Sequence, residues 1–393
     1  MRPRFDLETP APLYADHHAT TPLDPAVLEA MRPWLVGLAG NPSSAHGPGR
    51  AARRAVEAAR EEVARLLAAE PGGIVFTSGG TEADNLAVRG GARAARAADP
   101  RRRTVAFTAA EHAAVREAAL ALVPDGFEAV ELPVDERGVP RDAPPAGEAT
   151  ALVSAILANN ETGAVFDGLP AFAAATRASG ALVHTDAVQA AGRIPLDVTS
   201  LNVDLLSLSA HKFGGPKGAG TLWVRPGVTL LALAAGGGQE RGRRGGTENV
   251  AAIAGLGEAA RLARLRLAED GERIASLLGR LESGLLASVS GARLNAAEGA
   301  RLPTAASVVF PGTEAETLVA ALDLEGISVS AGSACHAGTT APSRVLLALG
   351  LSPADAKATL RISLGRTTSE GDVDRLLEAV PRVVARARRA GRT

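Results

Sequence analysis

Short apolar runs alternate with stretches of helical periodicity along this chain, the sequence form of a parallel sheet joined by crossover helices. Seven runs read as strands: Ile74 to Phe76, Thr104 to Thr108, Ala129 to Leu132, Ala151 to Leu157, Ala181 to His184, Asp204 to Leu208 and Gly220 to Val224. Between Ala51 and Glu70 the apolar positions Ala52, Val56, Ala59, Val63, Leu66 and Leu67 recur at helical spacing. Arg53, Glu57, Arg60 and Glu61 fall on the other faces, which predicts a surface helix. A long helical pattern from Glu258 to about Leu286 leads to a second apolar set, "AASVVF" and "ISVS", and then to an arginine-rich C-terminal helix. The expectation is an α/β fold with a large domain and a second, smaller domain after about residue 265. No internal repeat is present, and "RDAPPAGEAT" is the one segment that reads as a loose loop.

A chain of 393 residues has room for two or three domains at about 150 residues each. Its 46% hydrophobic and 22% charged residues belong to a packed globular protein and exclude a disordered chain or a coiled coil. The net charge of -1 supplies no overall field for nucleic acid or an anionic membrane, so neither is expected as a partner and small-molecule chemistry is. No apolar run reaches the roughly 18 residues a membrane span requires, and the opening "MRPRFDLETP" lacks the apolar core of a signal peptide. A cytoplasmic location is therefore expected. The single cysteine, Cys335, excludes an internal disulfide and a multi-cysteine metal site, and no metal is expected.

Only Lys212, Lys217 and Lys357 are lysines, against 39 arginines. Where lysine has been replaced almost everywhere, the survivors mark positions at which arginine fails; arginine cannot form a Schiff base and lysine can. Two of the three lie within "SAHKFGGPKGAG". Ligands of open α/β sheets bind beyond the carboxyl ends of the strands, so the residues after each predicted strand carry the chemistry. After Phe76 comes "TSGGTEADN", a polar turn feeding a helix, whose unpaired N–H groups suit a phosphate but equally suit plain capping. "ANNETG", "TDAVQAAG" and "SAHKFGGPKG" follow three further strands. Asp186 taken alone reads as a helix cap, His211 as a packed histidine and His112 as a helix-start histidine. Taken together, a lysine for an imine, a carboxylate, a glutamine and hydroxyl-bearing turns are what an aldehyde cofactor with a phosphate and a ring nitrogen requires, and pyridoxal phosphate has all three features.

The chain resembles the cysteine desulfurases, pyridoxal-phosphate enzymes of fold type I in the class-V aminotransferase family, and within them the NifS/IscS-like group. The segments that carry the resemblance include "ADHHATTPLDPAV", "NPSSAHGPGR", "FTSGGTEADNLA", "EHAAV", "NNETG", "HTDAVQAAG", "SAHKFGGPKGAG", "GGGQERGRRGGTEN", "SAGSACHAGTTAPSRVL" and "LRISLGRTT", in family order from about residue 15 to 368. It implies a large cofactor-binding domain over residues 17–265 with a mostly parallel seven-stranded sheet. A smaller α+β domain is implied over 1–16 and 266–393, carrying a cysteine loop at about 328–343.

The same resemblance implies roles. Lys212 would hold pyridoxal phosphate and then move the proton of the substrate α-carbon. Asp186 would pair with the ring nitrogen, Gln189 with the ring hydroxyl, and His112 would stack on the ring and assist proton transfer. Gly80, Thr81, Ser209 and His211 would hold the phosphate, while Asn160 and Arg361 would bind the substrate carboxylate, with Asn160 also touching the cofactor. Thr247 would reach the phosphate of a neighbouring subunit, which implies a homodimer. Lys217 matches a family position and is given no role. Cys335 lies among small residues, between Gly332 and Gly338, as a thiol that must visit two places should. Its spacing to "PSRVL" matches the long loop of this group, while His336 and "HAGTTA" depart from the commonest version of that loop.

The implied reaction converts L-cysteine to L-alanine and leaves a persulfide on Cys335 for a sulfur-acceptor protein: an iron–sulfur scaffold, a thiolation enzyme or a sulfur carrier. Two alternatives stand beside it. One is a selenocysteine lyase or other carbon–sulfur lyase on the same scaffold, and the other a pyridoxal-phosphate-binding scaffold without turnover.

Overall fold

The computed structural model describes residues 12–142, 147–332 and 341–390. Strand β1 (Leu13–Tyr14) opens the chain and is followed by β2 (Ile74–Thr77), β3 (Thr104–Thr108), β4 (Glu128–Leu132), β5 (Thr150–Ser154), β6 (Leu182–Asp186), β7 (Leu205–Ser209) and β8 (Gly220–Val224). From β2 onward these are the seven strands expected from the apolar runs, and they form one sheet in the order β2-β8-β7-β6-β5-β3-β4. β8 runs antiparallel to both neighbours and every other pairing is parallel. Two antiparallel steps restore direction, so β2 points the same way as β7, and the carboxyl ends of six strands share one edge. The expected strand from Ala151 to Leu157 ends at Ser154, but Ala155 and Leu157 still donate to His184 O and Asp186 O, so the extended path continues to the edge.

The helix expected over 51–70 spans Gly47–Leu66. It begins earlier because the His46 imidazole accepts from Gly49 N and Pro48 sits in the first turn, where its missing N–H costs nothing. It stops earlier because Ala68 takes a left-handed φ of 49°, which closes the helix while Leu67 keeps its place in the core. The long helical pattern becomes a 39-residue helix, Val250–Ser288, capped at its start by the Asn249 side chain. Its first half packs Ile253, Leu256 and Ala260 into the core of the large sheet. Its second half packs Ile274, Leu277, Leu278, Leu281 and Leu285, at helical spacing, into a separate core. Each such side chain stabilises the fold by about 1.5–3 kcal/mol when fully buried.

That second core belongs to a four-stranded sheet, with β9 (Arg293–Leu294), β10 (Ala305–Val309), β12 (Ser330–Ala331) and β13 (Thr359–Ser363) in the order β12-β13-β10-β9. β11 (Ile327–Ser328) pairs in parallel with β1, which brings the N-terminal segment onto this unit. Among the described residues no helix is long and apolar enough to cross a membrane.

Candidate active site

Loops leaving the shared edge of the large sheet meet β13 and the segment after β1 around a cavity of about 300 Å³. It is lined by Gly80, Thr81, His112, Asn160, Asp186, Gln189, Ser209, His211, Lys212 and Arg361, ten of the twelve residues singled out from the sequence. Thr247 is not among them; it is exposed, on the segment between β8 and the long helix. Cys335 lies outside the described residues. The chain can be followed to Gly332, one residue past β12, whose Ser330 pairs in register with Arg361. It is described again from Ala341, and Ser343 donates to Glu161 Oε2 at 2.6 Å, one residue from Asn160.

Each side chain is held by local structure. β2 ends at Thr77 and the chain turns at once into a helix starting at Gly80. A Cβ on Gly80 would meet Val188 Cγ2 at 3.0 Å, and one on Gly220 of β8 would meet the Gly79 backbone at 2.5 Å. Both glycines therefore let backbone approach where a side chain would block it. β6 ends at Asp186, whose Oδ1 accepts from Val188 N at 2.8 Å. Asp186 thus caps a turn, where its bland reading expected a helix cap, and it lines the cavity. His112 does stand at a helix start, as its bland reading expected: its Nδ1 accepts from Ala114 N at 3.1 Å at the start of the helix Ala113–Leu120, and it lines the cavity too. A neutral His112 consequently carries its proton on Nε2.

Lys212 sits in the short turn after β7, and its Nζ donates to His18 O at 2.5 Å and Ala19 O at 2.9 Å. Gln189 Nε2 also donates to His18 O at 2.9 Å, and Gln189 Oε1 accepts from Arg193 Nη1 at 2.8 Å. One Gln189 N–H remains for a ligand. Arg361 is 1% exposed; its Nη1 donates to Asn160 O at 2.9 Å and its Nη2 to Asp16 Oδ1 at 2.7 Å, while the buried Nε has no partner. His211 Nδ1 lies 3.0 Å from Thr20 Oγ1.

Burial dominates the electrostatics. It lowers His17 and His211 to about 4, and His18 well below the usual histidine range, with neighbouring cations adding to the effect, so all three are neutral near pH 7. Burial together with the Arg361 charge brings Arg193 down to about 9. Burial raises Asp186, and the opposing pull of His112 and Lys212 limits that rise. Burial, with the Asp186 charge beside it, raises Asp84 and Glu111 well above the carboxylate range. Of the three buried acids, Asp186 is thus the one best placed to ionise, and it shares the cavity with the Lys212 amine and the Arg361 guanidinium.

Several of these residues were not singled out from the sequence. His18 and Ala19 act through backbone carbonyls, which no side-chain motif encodes. Arg193 and Asp16 orient Gln189 and Arg361 from 4 and 345 residues away. Asp84, in the helix that starts at Gly80, and Glu111, next to His112, carried a signal in their placement beside the polar turns.

The described geometry has counterparts in known proteins. The aminotransferase class-V family model matches residues 13–376. A cysteine desulfurase of Cereibacter sphaeroides is 45% identical over 387 residues, covering 96% of each chain. An IscS-like cysteine desulfurase of Mycobacterium tuberculosis is 44% identical over 384 residues, covering 96% of this chain and 97% of its own. Among solved structures, a NifS-like protein superposes with a TM-score of 0.87 at 37% identity, over 95% of this chain and 99% of that one. SspA in complex with cysteine superposes with a TM-score of 0.78 at 34% identity, over 91% and 100%.

Proposed function

The chain belongs to the class-V aminotransferases and, within them, to the NifS/IscS-like cysteine desulfurases, pyridoxal-phosphate enzymes that take sulfur from L-cysteine, and from that premise we propose the residues that perform the reaction. The residues present fit the cofactor. Asp186 is a buried carboxylate in need of a cationic partner such as a protonated ring nitrogen. Gly80 leaves room for close approach of a ligand at the start of a helix, and Lys212 supplies an amine to the same cavity. When bound, pyridoxal phosphate supplies an aldehyde for imine formation and a ring that takes up electrons released at the substrate α-carbon.

Lys212 would hold the cofactor through its amine, and its Nζ would carry the α-proton of the substrate. The His18 and Ala19 carbonyls keep that nitrogen at the cavity wall in the interim. Asp186, fixed by Val188 N–H, would pair with the ring nitrogen, and Gln189 would offer its remaining N–H to the ring hydroxyl. Gly80, Thr81, Ser209 and His211 would hold the phosphate, and His112, with its proton on Nε2, would pack against the ring. The observation that carries the substrate assignment is Arg361. A guanidinium buried with Nε unpartnered, and fixed at both Nη atoms, is prepared for a carboxylate, and Asn160 stands beside it.

Sulfur then passes to Cys335. Its thiolate attacks the substrate sulfur, an S–S bond forms and the C–S bond breaks, and the carbon fragment keeps the electron pair, gains protons and leaves as alanine. The persulfide is delivered to an acceptor protein such as an iron–sulfur scaffold, a thiolation enzyme or a sulfur carrier. Thr247, exposed on its loop, completes the phosphate site of a second subunit in a homodimer.

Cys335→Ser tests the reading. The variant is expected to bind cysteine and change the cofactor absorption, yet to release alanine at least ~100-fold more slowly, the scale of losing a covalent participant rather than a contact. Brief exposure of the wild type to cysteine adds one sulfur to the Cys335 peptide, which a thiol reductant removes as sulfide. Alanine release by Cys335→Ser at the wild-type rate would transfer the assignment to a plain carbon–sulfur lyase.

A further inference from the structure

A second cavity, of about 330 Å³, adjoins the candidate active site and has no part in the reaction as derived. Its size falls at the lower end of the roughly 300–1,000 Å³ usual for small-molecule sites. Lys212 is the one residue common to both linings. Neighbours in sequence form the partition: His18, Gln189 and Arg361 line the first cavity, and His17, Arg193 and Leu364 line the second. A further wall is the part of the long helix that passes from one core to the other, where Leu262, Ala263, Arg266, Asp270 and Ile274 recur at helical spacing along one stripe. Phe213 and Leu364 add apolar surface to it.

The charges of this wall do not balance. Arg193, 8% exposed, donates from Nη1 to Gln189 O and Gln189 Oε1, both at 2.8 Å, and from Nη2 to His17 O at 3.1 Å. All three acceptors are uncharged, and among the described residues no acid pairs with this guanidinium. Burial and the Arg361 charge bring it down to about 9, which still leaves a cation at neutral pH, and a buried cation without a counter-charge is costly. Of its five donors, Nε–H and one Nη2–H are left over. Arg266 Nη1 and Arg366 Nη2 both donate to Asp24 Oδ2 at 2.8 Å, and Asp270, 3.7 Å from Arg273, is the second acid of the lining. Three guanidiniums against two carboxylates leave a surplus of one positive charge. His17, 3% exposed, contributes a buried Nε2 with no partner. Gly365 lies so close to its ring that a Cβ there would meet Nδ1 at 2.2 Å, which pins the imidazole in the cavity wall.

We propose that this second cavity is a binding site for a small aliphatic monocarboxylate, whose head pairs with Arg193 and whose hydrocarbon chain lies against Phe213, Leu262, Ala263, Ile274 and Leu364. The surplus of one charge selects a monoanion, and two spare donors on a planar guanidinium match the two oxygens of a carboxylate. The apolar stripe selects a ligand with a hydrocarbon body over a compact polar anion, which would leave that surface wet. The site also has a connection to the chemistry: Arg193 holds Gln189 Oε1 and His17 O, and the next carbonyl along, His18 O, holds Lys212 Nζ. The proposal stands on the second cavity alone and does not depend on the cofactor reading.

Octanoate is the probe. In calorimetric titration of the wild-type holoenzyme at pH 7 it is expected to bind once per chain with a Kd of about 1 mM or tighter, the scale of a ligand of about ten non-hydrogen atoms. Octanamide, with the same chain and no charge, should bind at least about tenfold more weakly, the size of a lost charge-assisted contact. Ala263→Phe, which puts a ring into the cavity, and Arg193→Met, which removes the cation, should each weaken octanoate by about tenfold or more. Ala263→Phe should still release alanine from cysteine. Arg361→Gln should bind octanoate as wild type does. No binding to wild type, equal affinity for octanamide, or unchanged binding in Ala263→Phe overturns the proposal, and so does a loss in Arg361→Gln, which would put the probe in the first cavity. If Ala263→Phe does not fold, the octanamide comparison on wild type still decides. Octanoate binding in a wild type that lacks alanine release would refute the functional reading alone.

Discussion

Replacing Arg361 with lysine keeps the positive charge and removes the planar fork. Of the five guanidinium N–H donors, two are spent on Asn160 O and Asp16, and the unpartnered Nε–H with the second hydrogens of the Nη atoms remains for a ligand. An ammonium has three donors on a shorter reach. Satisfying Asp16 or Asn160 takes it off the carboxylate, and meeting the carboxylate leaves a protein acceptor bare. At least one charge-assisted hydrogen bond to substrate is lost, about 1.5–3 kcal/mol, which converts to roughly a 10- to 150-fold rise in KM for cysteine. The carboxylate is bound equally before and during the chemistry, so kcat should fall much less than KM rises. Steady-state alanine release gives the split, and a melting curve on the same preparation separates it from unfolding. An unchanged KM in a folded variant would refute the argument and place the substrate carboxylate elsewhere in the cavity.

Borohydride reduction of the holoenzyme should leave a pyridoxyl group on Lys212, located by peptide mass, and Lys212→Ala should retain cofactor only non-covalently; an adduct on Lys217 would refute this assignment. A heterodimer of one Lys212→Ala and one Thr247→Ala subunit should hold one intact site and one doubly defective site if Thr247 acts across the interface, and therefore recover about half of wild-type activity. For stability, His17 is the clean probe, because burial lowers it to about 4 and its Nε2 has no partner. The unfolded chain binds a proton near pH 6.5 that the folded chain refuses until about 4. Its contribution is therefore fully present above pH 6.5 and is lost as pH falls through that window, at up to about 1.4 kcal/mol per pH unit. Denaturant midpoints should show wild type losing ground to His17→Gln across pH 6.5 to 4; parallel curves would contradict the shift.

The seven sheet strands were legible in the chain because an apolar run of five residues is set by its own composition, whichever neighbour it later pairs with. Lys212 was legible through the scarcity of lysine, and most of the cavity through the polar turns that follow the strands, since a parallel sheet must deliver those turns to one edge. Helix ends were less so. The His46 and Asn249 caps and the left-handed Ala68 moved boundaries by several residues, because a cap is one side chain against a whole periodic window. What only the tertiary structure decided are the contacts between segments far apart in the chain. Arg361 meets Asp16 across 345 positions, Lys212 meets the His18 carbonyl across 194, and His184 is brought between the Ser154 and Ser207 hydroxyls. Local pattern selects an element and the face it buries. The partner of a buried polar atom is fixed only when the sheet register and the docking of β1 and β13 bring distant backbone within hydrogen-bond distance.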